Sequence, residues 1–91
     1  MDEHRLDGNA AAGTLAEIFT FEITTARAAC VHCGSSGEVG AQMAYISEIG
    51  TVVRCSSCEG VLIRVVRQDE RPGRCWLDLK GVEYLQIQER P

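Results

Sequence analysis

The chain has 91 residues, 45% of them hydrophobic but only 5% aromatic, and a formal net charge of −4. That length allows one domain with a small core, and five aromatic side chains (Phe19, Phe21, Tyr45, Trp76, Tyr84) fill little of it, so a metal or a cross-link is expected to hold the fold. The acidic balance speaks against a surface for polyanions, and no apolar run reaches the roughly 18 residues that span a bilayer.

The start, MDEHRLDGN, is acidic and lacks the basic flank and apolar stretch of a secretory signal. A cytoplasmic location, where thiols stay reduced, is therefore expected. LDGNAAAGTLAEIF (6–19) reads as a helix with Asp7 as its N-cap and Ala11, Leu15, Ile18 and Phe19 along one face. Gly13 weakens it by roughly 1 kcal/mol relative to alanine. A helix 7–19 so marginal must dock, either on its own chain or on a second one. FEITTARAA (21–29) leads towards the first cysteine as strand or linker.

Cys30 and Cys33 form one C-x2-C pair and Cys55 and Cys58 a second, close to the spacing of zinc sites. Two cysteines three apart in a tight turn can aim both sulfurs at one ion, and four thiolates make a closed tetrahedral site. Gly34 suits the exit from the first turn at positive φ; Glu59 fills the matching place in the second. His32, inside the first turn, is expected on the surface rather than as a ligand. Five cysteines, an odd number, fit a disulfide framework poorly.

Between the pairs, SSGEVG (35–40) is turn chemistry, AQMAYIS (41–47) a strand, EIG (48–50) a turn and TVVRC (51–55) a strand. GVLIRVVR (60–67) is a β-branched strand, DERPG (69–73) a turn, CWLDLKG (75–81) an alternating strand and VEYLQIQ (82–88) a last one. Cys75 is expected as a small buried hydrophobe sharing a face with Leu77 and Leu79, and Trp76 is expected to pack. The division is a helical arm with its lead-in strand (1–29), a zinc ribbon (30–67) and a C-terminal β-hairpin extension packed on the ribbon (68–91).

Residues 1–53 carry seven acids and two basic residues, whereas 54–91 carry six acids and seven basic residues. Arg54, Arg64, Arg67, Arg71 and Arg74 gather near the second cysteine pair; they read as solvated strand and turn residues, with a patch for phosphate or an acidic partner as the rival. Four thiolates with one zinc ion lower the formal charge by a further two, so nucleic acid is not the expected partner. No nucleophile–base spacing, phosphate loop or carboxylate pair stands out, and no enzyme is expected.

The run LDGNAAAGTLAEIF, CVHCG, VVRCSSCEGVLIRVVR and CWLDLKG resembles a family of small bacterial zinc-ribbon proteins of unknown function. Asp7, Gly8, Asn9 and Ala10, the four paired cysteines, and the stretch from Trp76 to Gly81 carry the resemblance. It implies a small, mainly β, metal-stabilised fold. Relatives beside genes for flavin- or molybdenum-dependent oxidoreductases imply an accessory module docking on such an enzyme. The function class expected is thus a non-catalytic binding module with structural zinc on Cys30, Cys33, Cys55 and Cys58. A rubredoxin-like one-electron carrier with iron in the same site, and a nucleic-acid-binding ribbon, are the alternatives.

Overall fold

Eight strands form among the residues described by the structure, a computed structural model covering 4–16, 19, 22–67 and 75–87, and the longest of them is the β-branched run VLIRVVR. The strands are β1 (His4–Asp7), β2 (Arg27–Cys30), β3 (Ser36–Glu38), β4 (Met43–Ile46), β5 (Gly50–Arg54), β6 (Val61–Arg67), β7 (Cys75–Asp78) and β8 (Val82–Gln86). They form a five-stranded sheet in the order β1-β4-β5-β6-β7 and a three-stranded sheet in the order β3-β2-β8. Every pairing is antiparallel. The expected mainly β fold, with four cysteines gathered for a metal, is what the chain adopts.

Alternation sorts the five-stranded sheet into two faces. Ala44, Thr51, Val53, Ile63 and Val65 are buried on the inner face, while Tyr45, Val52, Arg64 and Val66 are half-buried on the outer one. The β5–β6 register shifts between Val53 and Arg54, leaving Leu62 with no residue opposite. This bulge turns Leu62 inward beside Ile63, and both are buried. Ala11, Leu15, Ile23, Ala28 and Val39 close the core from the helical segments and the three-stranded sheet. Each fully buried leucine or isoleucine among them contributes roughly 1.5–3 kcal/mol.

The N-terminal helix expected over 7–19 is not what forms. Residues His4–Asp7 pair with β4, Gly8–Ala11 make a 3-10 turn, and among the described residues the α-helix α1 spans Ala12–Ala16. The pull towards β structure is tertiary: β1 gains four register partners from β4, which a short helix with a central glycine cannot match. The apolar stripe is nevertheless largely right. Ala11 and Leu15 are buried in the chain's own core, and Phe19 packs half-buried against it; Ile18 lies outside the described residues.

The expected C-terminal hairpin also takes another form. β7 pairs with β6, whereas β8 crosses to pair with β2 in the other sheet. The WLDLKG stretch makes that crossing. Asp78 accepts hydrogen bonds from the Lys80 N–H and from the Arg64 guanidinium, both at 2.8 Å, and these partners, the Lys80 N–H first, hold its carboxyl below the usual carboxylate range. Gly81 then lies against the Val61 carbonyl so closely that a Cβ would collide with it, and Gly8 stands in the same relation to the Val39 carbonyl. The two sequence stretches that carry the family resemblance, DGNA and WLDLKG, are thus sites of close backbone approach.

Trp76 does not pack in the core. It is 49% exposed on the outer face, because alternation sets it opposite Leu77, and the Arg64 guanidinium lies 5.4 Å from its ring. Cys75, expected buried, is exposed at the start of the same strand.

Candidate metal centre

Strand β2 ends on Cys30 and strand β5 runs directly into Cys55. Each strand delivers a tight turn, and the two turns repeat one hydrogen-bond pattern position by position. Gly34 N–H donates to the Cys30 carbonyl (2.9 Å) and Glu59 N–H to the Cys55 carbonyl (2.8 Å). Cys30 N–H donates to the Ser35 carbonyl (2.9 Å) and Cys55 N–H to the Gly60 carbonyl (2.8 Å). Every sulfur also receives a donor from the residue two further on. His32 N–H reaches Cys30 Sγ (3.3 Å), Ser57 N–H reaches Cys55 Sγ (3.4 Å), Gly60 N–H reaches Cys58 Sγ (3.3 Å), and Ser35 serves Cys33 with its hydroxyl and its N–H. Such donors spread thiolate charge and aim the sulfurs at a common centre.

The four sulfurs lie within 4.8 Å of one another. Across the two turns, Cys30 and Cys58 approach to 3.7 Å, as do Cys33 and Cys55. A tetrahedral ion with sulfur arms of about 2.3 Å needs edges of about 3.8 Å, so the cluster fits such an ion with little adjustment. Cys30 and Cys55 are buried, Cys33 and Cys58 exposed. The Cys33 thiol is pulled down to about 6, first by the Ser35 hydroxyl and then by its N–H. At Cys58 the Gly60 N–H pulls downward, but lost solvation and the three neighbouring sulfurs together push the thiol up to about 12. Sulfurs crowded in this way cannot all ionise without a cation, and a metal supplies one.

The sign of the pH dependence follows. Four thiolates must form, so capture of a metal expels every proton the sulfurs still hold, that of Cys58 at neutral pH among them, and below about pH 6 that of Cys33 as well. Metal affinity is expected to fall with acidification, more steeply below about pH 6. A competition titration against a chelator of known affinity across that range checks it; a flat profile is the contrary result.

Gly34 has φ +82°, the left-handed conformation its turn requires, and Glu59 adopts φ 67° at the matching position. The Arg54 guanidinium donates to the Glu59 carbonyl (3.0 Å) and helps hold this unfavourable backbone. Glu59→Gly is therefore expected to stabilise the metal-loaded protein by about 1 kcal/mol, read as a higher denaturant midpoint. An unchanged or lower midpoint contradicts the strain.

His32 is exposed, and its Nε2 lies 3.4 Å from the Val61 carbonyl oxygen rather than on the sulfurs. Cys75 heads β7 opposite Arg67 at its far end, so Cys75→Ala is expected to leave the metal content unchanged; metal loss would mean a different ligand set. Of the arginines near the second pair, Arg54 lies 5.5 Å from the Tyr45 ring and Arg64 pairs with Asp78. The Arg67 side chain, Arg71 and Arg74 fall outside the described residues.

Two supporting residues carry no obvious mark in the sequence. Gln42, only 7% exposed, accepts from the Ser56 N–H through Oε1 and donates to the Glu38 carbonyl through Nε2, both at 2.9 Å, tying the second turn to β3. A buried amide in an otherwise strand-like AQMAYIS was the available signal. Leu62 helps line a cavity of about 30 Å³ beside Cys30, Cys55 and Gln42, room for a water molecule or two but not for a substrate.

Compared with known proteins, residues 1–90 match the model of a family described as being of unknown function, DUF6510. No curated protein and no solved structure matches the chain.

Proposed function

We propose, from the premise that the chain belongs to the family of unknown function DUF6510, that it is a non-catalytic accessory module folded around one structural zinc ion and docking on a protein partner. The outer face of the five-stranded sheet carries this reading. Tyr45, Val52, Arg64 and Asp78 form one register row across four strands, with Val66 and Trp76 in a neighbouring row. Arg54 lies over the Tyr45 ring and Arg64 over the half-exposed Trp76. Tryptophan, tyrosine and arginine are the residues that dominate binding energy at protein interfaces. A shell filled by four thiolates supports a structural rather than a catalytic ion, since catalytic zinc keeps a position open. The net charge of −4 favours a protein over a nucleic acid, and an oxidoreductase is the first partner to test.

The test compares the wild-type protein with Trp76→Ala and Tyr45→Ala as baits in native extract, after elemental analysis of each. One zinc per chain in all three, with a stoichiometric partner recovered by the wild type and lost by the variants, is the expected result. Equal recovery by the variants removes the docking face from the reading. Iron in place of zinc, visible as a red protein, removes the structural-zinc assignment.

A further inference from the structure

The cross-turn contacts pair the sulfurs in a particular way. At 3.7 Å, Cys33 meets Cys55 and Cys58 meets Cys30, and each contact joins one exposed sulfur to one buried sulfur. An oxidant in solvent reaches Cys33 and Cys58 first, and a second sulfur already waits at contact distance behind each. We propose that the metal centre is also a peroxide-reactive site, at which oxidation joins Cys33 to Cys55 and Cys30 to Cys58 and releases the metal. The release half rests on the zinc reading above; the pairing half does not.

The chemistry balances with hydrogen peroxide as the oxidant. The exposed Cys33 sulfur attacks one peroxide oxygen, the O–O bond breaks, and hydroxide leaves to become water, giving a sulfenic acid. The Cys55 sulfur then attacks the Cys33 sulfur; the S–S bond forms, the S–O bond breaks, and a second hydroxide leaves as water. Two thiolates are oxidised, one peroxide is reduced to two waters, and solvent supplies two protons. Cys58 and Cys30 repeat the sequence with a second peroxide. No thiolate then remains to hold the ion, which departs as the divalent cation.

Two features favour the cross-turn products over disulfides within each C-x2-C pair. Inside each turn the N–H donors hold the two sulfurs towards a shared centre rather than towards each other. The cross-turn links also span 22 and 28 residues, so they constrain the unfolded chain far more than a link spanning three. They join the same strand ends that the ion joins, so the oxidised ribbon stays closed without metal.

The experiment treats reductant-free, zinc-loaded wild-type protein with hydrogen peroxide. It follows zinc with a metallochromic indicator, secondary structure by circular dichroism, and pairing by a non-reducing tryptic map. Trypsin cuts after Arg27, Arg54 and Arg64, placing Cys30 and Cys33 in one peptide and Cys55 and Cys58 in the next. Cross-turn oxidation links the two peptides, whereas oxidation within the turns leaves them separate. The expected result is two peroxides consumed per zinc released, linked peptides whose fragment spectra assign Cys33–Cys55 and Cys30–Cys58, a retained β spectrum, and recovery of zinc binding after thiol reduction. Unlinked peptides, a Cys30–Cys55 with Cys33–Cys58 assignment, or zinc retained under a large excess of peroxide overturns the proposal. Protein that binds no zinc before oxidation overturns the zinc reading instead, and the same map still decides the pairing.

Discussion

Replacing Cys30 or Cys55 by serine is expected to abolish metal retention and unfold residues 30–67. These two are the buried members of the cluster, and each continues directly from a core strand. Structural zinc in small domains contributes an apparent binding free energy on the order of 10 kcal/mol, comparable to the whole stability of such a chain. Little else replaces it: the described core is rich in alanine and valine, with only a few larger side chains such as Leu15, Ile23, Leu62 and Ile63. Elemental analysis gives the metal loss, and dispersion of the amide NMR spectrum reports the sheets. Strong chelation of the wild type should have the same result. A fully dispersed spectrum after chelation would show that the ion is not what holds the ribbon.

Leu15→Ala carries the second large effect, about 2–5 kcal/mol of lost stability, from the removed methylenes and the cavity left behind. Leu15 is 0% exposed on α1, described over Ala12–Ala16, and its burial in the core helps hold the helix. Because its neighbours Ala11, Ile23 and Val39 belong to the same chain, the loss should be independent of protein concentration. Denaturant midpoints measured at two well-separated concentrations check this. A midpoint that moves with concentration would assign Leu15 to a contact between copies, and an unchanged midpoint would remove it from the core.

The metal cluster and the strands beside it were legible because their signals are local. C-x2-C spacing fixes where two sulfurs can point, and runs such as VLIRVV have one comfortable backbone. The N-terminus misled for a related reason. Spacing of Ala11 and Leu15 reports burial on one side, which a 3-10 turn followed by a short helix satisfies as well as one continuous helix, while the pairing of Leu6 with Ala44 depends on residues far along the chain. The alternation of CWLDL already set Trp76 apart from Leu77; the expectation that a lone tryptophan packs overrode it. The bulge at Leu62 and the crossing of β8 to β2 arise from backbone register between distant strands, which no single segment encodes.

The matching hydrogen bonds of the two cysteine turns amount to an approximate two-fold axis through the centre of the sulfur cluster. Cys30 is equivalent to Cys55, and Cys33 to Cys58, in backbone N–H donor, in burial and in place within its turn. A bound ion is therefore surrounded by two kinds of sulfur rather than four. In a cadmium-substituted protein the cysteine β-proton couplings to the metal should group into two pairs along that division. The departure from equivalence lies at the exposed pair, where Cys33 has the Ser35 hydroxyl as a further donor and Gly60 has no side chain to offer Cys58.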